Sequence, residues 1–173
     1  MFRFKKKKQQ IEIKAPVVGK SVSIESVPDD TFATKLMGEG VAFKFSGSDI
    51  CAPVTGELIL VADTLHAFGI RDTHGVEILV HIGLETVTLN GAGFIKIKEI
   101  GQKVFEGEPI IKVDQTYMLK SGLNMITMMV VTNSSDYQIS LDNLESNVDL
   151  DSVMIRCIAN EGGIYERSRK KFK

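Results

Sequence analysis

The chain has 173 residues, 43% of them apolar and 25% charged, with a formal net charge of -1. That composition excludes a disordered or fibrous chain and fits one ordinary domain. No apolar run nears the roughly 18 residues of a membrane helix, and the Met1-Phe2-Arg3-Phe4 start runs into Lys5 to Lys8 without the apolar core of a secretory signal.

Charge is unevenly spread. Residues 1–10 carry five basic and no acidic side chains, and 161–173 carry five basic and two acidic. The stretch 11–160 keeps 11 basic and 20 acidic, a net charge of -9. A body this acidic argues against general nucleic-acid binding, which needs basic patches, and favours steering of a basic protein partner. The expected organisation is a basic tail at 1–10, a body at 11–158 and a second basic tail at 159–173. Lysines beside Phe2 and Phe4 allow at most weak contact with an anionic membrane surface. Cys51 and Cys157 share no short spacing and read as free buried thiols of a reducing, cytoplasmic compartment.

Ile and Val total 34 against 20 for Leu and Ala, which leans toward strands. In chain order, β-branched runs between turn residues predict strands at 11–13, 17–24, 41–45, 57–61, 67–71, 76–82, 94–97, 110–113, 125–132 and 153–157. Short helical turns are predicted at 32–37, 116–121 and near 141–144. Regularly spaced short strands indicate an all-β sandwich or barrel. A six-residue echo strengthens this: Ala15-Pro16-Val17-Val18-Gly19-Lys20 returns as Ala52-Pro53-Val54-Thr55-Gly56-Glu57. It fits two equivalent corners of a pseudo-symmetric sandwich.

Chemistry concentrates at two histidines. His66 lies in Thr64-Leu65-His66-Ala67-Phe68-Gly69-Ile70, and His81 in Val76-Glu77-Ile78-Leu79-Val80-His81-Ile82-Gly83. Period-two alternation puts Val76, Ile78, Val80 and Ile82 on one face and Glu77, Leu79 and His81 on the other. His66 is expected to share a face with Phe68 and Ile70. A hairpin around the turn at 71–75, paired about its middle, brings His66 opposite His81. A slip of one residue would undo that register. Burial and a like neighbour keep both rings neutral, each with a free lone pair. Such a pair is either a satisfied core contact or a nucleophile with a helper ring, and the Thr64 hydroxyl could orient the helper.

The motif Thr-x-His-Ala-Phe-Gly-Ile, followed by Gly-Val-Glu-Ile-Leu-Val-His-Ile-Gly-Leu-Glu-Thr-Val-x-Leu-x-Gly-x-Gly-Phe through Phe94, resembles the enzyme IIA (EIIA) domain of the glucose family in the bacterial phosphoenolpyruvate-dependent sugar phosphotransferase system. The likeness extends upstream through Lys35-Leu36-Met37-Gly38-Glu39-Gly40 and downstream to Gly101-Gln102-Lys103-Val104, covering roughly 11–158. It implies an antiparallel β-sandwich, barrel-like, with a duplicated hybrid motif and a few short helical turns. It also implies a phosphotransferase component with a phosphohistidine intermediate. His81 matches the phosphoryl-accepting histidine, attacking through Nε2. His66 matches the second histidine, which holds phosphoryl oxygens, and Thr64 the hydroxyl that orients the pair.

The implied donor is the phosphocarrier HPr, and the implied acceptor is a cysteine on the IIB domain of a sugar permease. Asp29 and Glu85 match carboxylates that meet basic residues of HPr. Phe32, Leu36, Met37, Leu79 and Val87 match an apolar rim that keeps water from the phosphohistidine. Glu85 stands where family members often have Asp, and Ala62 where they often have a large aromatic. No cofactor is required beyond covalent phosphate on His81, and a monomer is expected.

The residues allow other readings. An incidental zinc at His66 and His81, with a carboxylate such as Glu85, is chemically allowed. A zinc sandwich hydrolase is disfavoured, because the His-x-His and His-x-x-x-Asp ligand patterns are missing. A biotinyl- or lipoyl-type carrier would use Lys120, in a stretch that reads as helix and not as a hairpin tip. Phosphorylation-dependent binding of other proteins would be an addition to the relay, since phosphate places double negative charge in an apolar face. His74, in the turn, reads as a solvated side chain.

Overall fold

The computed structural model describes residues 8–161. Most of the two predicted basic tails, at 1–7 and 162–173, lies outside the described residues. The first strands are β1 (Gln10–Lys14), β2 (Gly19–Ser23), β3 (Glu39–Phe45), β4 (Asp49–Cys51) and β5 (Gly56–Val61). Then come β6 (Ala67–Asp72), β7 (Glu77–Ile82), β8 (Phe94–Lys96), β9 (Lys103–Val104) and β10 (Pro109–Val113). The last are β11 (Thr127–Val131), β12 (Tyr137–Leu141), β13 (Asn147–Val148) and β14 (Val153–Ala159). Among the described residues helix is confined to α1 (Asp30–Ala33), α2 (Gln115–Ser121) and three single 3-10 turns.

Eight strands form the main sheet in the order β13-β2-β3-β11-β7-β6-β5-β9, and two three-stranded sheets, β1-β14-β12 and β4-β10-β8, complete the sandwich. The paired strands all run antiparallel. The fold is therefore the antiparallel β-sandwich with few helical turns that the β-branched runs predict.

The repeated hexapeptide has a structural counterpart. Lys14 N donates to Pro53 O at 3.0 Å, and Cys51 N donates to Pro16 O at 2.8 Å, so the residue just before each copy donates to the proline of the other. Gly19 and Gly56 play one role in each copy. A Cβ on either would stand 2.2 Å from a neighbouring carbonyl oxygen, of Lys44 and Arg71 respectively. Only glycine lets the paired strands approach that closely.

Alternation sorts side chains into two cores. Ile78, Val80 and Ile82 of β7, Met129 and Val131 of β11, and Val41 and Phe43 of β3 fill the interior. On the outer face Ala42, Met128 and Val130 meet Val22, Ile24, Val27 and Phe32, with Met37 and Leu79 packed alongside. The segment from Ile24 to Met37 thus covers part of the outer face. Lys35 fastens it: Nζ lies 3.2 Å from Glu25 Oε1 and 3.1 Å from Glu39 Oε2.

Several expectations need correction. The first helical turn is Asp30–Ala33, earlier and shorter than 32–37, because Asp29 caps it by accepting from Thr31 N at 2.9 Å. No helical turn forms near 141–144. Tyr137–Leu141 is a strand whose Tyr137, Ile139 and Leu141 are half-buried while Gln138 and Ser140 face solvent, and Asn143 and Glu145 then turn the chain with positive φ. The short strands β4, β9, β12 and β13 were not expected, since two or three residues or polar alternation give little apolar signal. His74 is exposed, yet its Nδ1 lies 2.9 Å from Asp72 Oδ2, so it is paired within the turn.

Candidate functional site

The hairpin that carries the histidines closes by a three-residue loop, Thr73-His74-Gly75. Gly75 has φ 93°, and Asp72 N donates to Val76 O at 2.9 Å. Asp72 Oδ1 also accepts from the backbone N–H of His74 and of Val76. The added residue moves the register by one from the expected pairing, so Ala67, not His66, stands opposite His81. Phe68 and Ile70 point into the interior with Val80 and Ile78. His66 therefore does not reach His81 by strand alternation.

It arrives by leaving the strand. Leu65 takes a left-handed backbone, φ 58°, with its N–H on Ala62 O at 2.8 Å. His66 stands one residue before β6, and its carbonyl accepts from Ile82 N at 2.7 Å. Past this turn the ring meets His81 edge to face, with centroids 5.0 Å apart and planes at 76°. Phe32 closes another side of His81, its ring centroid 5.1 Å away.

The electronic state follows from the partners. His81 Nδ1 lies 2.9 Å from Gly83 O. A carbonyl only accepts, so Nδ1 carries the proton and Nε2 keeps its lone pair. Burial pushes His81 below the ordinary 6.5, the neighbouring His66 adds to this, and Gly83 O and Asp29 oppose it. Burial also lowers His66. Both rings are therefore neutral at neutral pH. Thr64 Oγ1 lies 2.6 Å from His66 Nδ1; with the hydroxyl donating, His66 exposes an Nε2–H donor toward its neighbour.

By burial, the expected rim residues divide into two groups. Phe32 is buried, and Met37 and Leu79 are half-buried against the outer core. Leu36 is 79% exposed and Val87 48% exposed, so neither serves the core. Asp29 is half-buried at the start of α1, close enough to act on His81. Glu85 is exposed with φ 58° before the 3-10 turn Thr86–Leu89. Ala62 is half-buried beside the Leu65 turn.

Gly83 was not singled out as a site residue, although its carbonyl fixes the His81 proton. The available signal was a glycine two residues after the histidine, where the backbone needs φ 72°. No group of three or more His, Cys, Asp or Glu side chains among the described residues is arranged to hold a metal. A zinc ion at His66 and His81 would need a ligand from another molecule. Lys120 lies within α2 and not at a hairpin tip, which removes the geometric basis of the swinging-arm reading. Cys51 and Cys157 are buried free thiols, pushed by burial up to about 11 and about 12. No helix among the described residues is long and apolar enough to cross a membrane.

Comparison with known proteins agrees on a class, the sugar phosphotransferase system. Residues 11–137 match the sequence model of the family described as phosphoenolpyruvate-dependent sugar phosphotransferase system, EIIA 1. The chain belongs to this EIIA family, a group of sugar-transport proteins. It is 38% identical over 147 residues to the glucose-specific EIIA component of Borreliella burgdorferi, covering 83% of this chain and 78% of that protein. Its fold is similar to that of glucose permease IIA from Mycoplasma capricolum, with a TM-score of 0.79 and 31% identity over 90% of this chain and 99% of that one.

Proposed function

We propose that the protein is a phosphoryl carrier in which His81 Nε2 accepts phosphate from phospho-HPr and passes it to a cysteine of a permease IIB domain. The observation that carries this reading is the neutral His81 ring, with Nδ1 bound to Gly83 O at 2.9 Å and a second neutral ring 5.0 Å away. The Nε2 lone pair attacks phosphorus as the P–N bond of the donor phosphohistidine breaks, and the donor nitrogen keeps that electron pair. In the second transfer the acceptor thiolate forms a P–S bond and the His81 P–N bond breaks, which returns the lone pair. Both transfers pass through a loose transition state, so positioning and fixed donors carry most of the catalysis. His66 Nε2–H, oriented by Thr64, supplies a donor to the phosphoryl oxygens.

Asp29 and Glu85 give the rim negative charge suited to a basic donor protein. Leu36 and Val87, too exposed to serve the core, supply apolar contact that excludes water while a partner is docked. The test is a relay assay with phosphoenolpyruvate, enzyme I, HPr and a IIB acceptor. His81→Ala should take up no phosphate, and His66→Gln should accept it yet pass it on poorly. Labelling of His81→Ala equal to that of the unsubstituted protein overturns the reading.

A further inference from the structure

We propose that Thr86 is a positioning residue for His81: its buried hydroxyl fixes the bend that aims the Gly83 carbonyl at Nδ1. The proposal rests on the reading of His81 as the phosphoryl acceptor, and it adds the group that selects the reactive tautomer. Thr86 is one of four fully or nearly buried polar residues among those described, with no exposed surface. It opens the 3-10 turn Thr86–Leu89, but the turn has no side-chain cap from Glu85, and the Thr86 hydroxyl is not spent on the turn either. It donates backward, four residues, to the carbonyl of Ile82.

That contact completes a clamp around the residue after His81. Ile82 N donates to His66 O at 2.7 Å, and Ile82 O accepts from Thr86, so both its backbone polar groups are held. The next peptide is held as well, because Leu84 N donates to Asn124 O at 2.7 Å. Gly83 lies between these anchors with φ 72°. A Cβ there would stand 2.6 Å from Thr86 Cγ2, 3.0 Å from Met125 Sδ and 3.2 Å from Asn124 O. Thr86 therefore acts on the bend through its hydroxyl on Ile82, while its methyl only fills the space beside Gly83. The result is one carbonyl, Gly83 O, at 2.9 Å from His81 Nδ1.

The chemical consequence is a choice of tautomer. A neutral imidazole without a fixed acceptor shares its proton between both nitrogens, and a proton on Nε2 removes the nucleophile. Thr86→Val keeps the shape and replaces the hydroxyl by a methyl that cannot sit at hydrogen-bond distance from the Ile82 oxygen. The bend then opens and the Gly83 carbonyl moves off line.

The test is nitrogen-15 NMR of the imidazoles in the unphosphorylated protein, beside the rate of phosphate uptake from phospho-HPr. In the unsubstituted protein His81 should show a protonated Nδ1 and a bare Nε2. Thr86→Val should show mixed tautomers at His81 and an uptake rate lower by about tenfold to a hundredfold, the scale expected when a reacting group is displaced by a fraction of an ångström to an ångström. Thr86→Ser keeps the hydroxyl and should restore both signals. A Thr86→Val protein with the His81 tautomer unchanged overturns the proposal, as does a Thr86→Ser protein with the same defect as Thr86→Val. Should Thr86→Val not fold, the hydroxyl proton of Thr86 in the unsubstituted protein decides. Slow exchange with solvent supports the proposal, and free exchange contradicts it. Because the tautomer is read without phosphate, it is judged even if His81 proves not to be the acceptor.

Discussion

The rings of His66 and His81 meet at 5.0 Å, although the ladder pairs His81 with Ala67 and leaves His66 outside β6. The contact depends on the turn at Leu65, whose φ is 58°. Leu65→Gly should therefore keep the turn and the ring contact, giving up only the packing of the half-buried Leu65 side chain, while Leu65→Val, β-branched in a left-handed position, should displace His66 and lose about 1–3 kcal/mol of stability. Denaturant unfolding checks the loss, and the His66 imidazole shifts check the displacement.

Lowered imidazole pKa values make stability depend on pH in a defined direction. His81 and His66 both lie below 6.5 in the folded protein, so the unfolded chain takes up protons first as pH falls. Stability is full above the unfolded value and declines as pH drops from about 6.5 toward the folded values. Melting temperature should fall in that window, and His81→Gln should flatten the slope. A slope unchanged in His81→Gln would contradict the burial assigned to that ring.

Asp29 has two roles that one substitution separates. It caps α1 through Thr31 N at 2.9 Å and lends negative charge near His81. Asp29→Asn keeps the cap but removes the charge. Stability should change by less than about 0.5 kcal/mol, while KM for phospho-HPr rises and its salt dependence weakens. An unaltered salt dependence would remove Asp29 from the docking surface.

Phe32 joins the outer core to the site. It is 4% exposed and its ring lies 5.1 Å from that of His81. Phe32→Ala should cost about 3 kcal/mol in unfolding free energy. It should also shorten the lifetime of the phosphorylated form by admitting water, measured as release of inorganic phosphate.

Much of this was legible in the chain because period two is strict. Ile78, Val80 and Ile82 on one face and Leu79 and His81 on the other follow from alternation alone, while the twofold use of Gly19 and Gly56 follows from the repeated hexapeptide. The pairing of His66 with His81 was reached by a register that the structure does not have. The three-residue loop at Thr73-His74-Gly75 shifted the ladder, and the Leu65 turn restored the contact by another route. Neither is readable from hydropathy, because each depends on backbone torsion. Gly83 and Thr86 carry little sequence signal for a related reason, since one acts through a carbonyl and the other through a hydroxyl on a neighbouring carbonyl.

The most direct measurement is phosphorus-31 and nitrogen-15 NMR of the protein after treatment with phosphoenolpyruvate, enzyme I and HPr. The account predicts one phosphoryl group, bonded to Nε2 of His81, with His66 unmodified. Phosphate on His66, or on Nδ1 of His81, would contradict it.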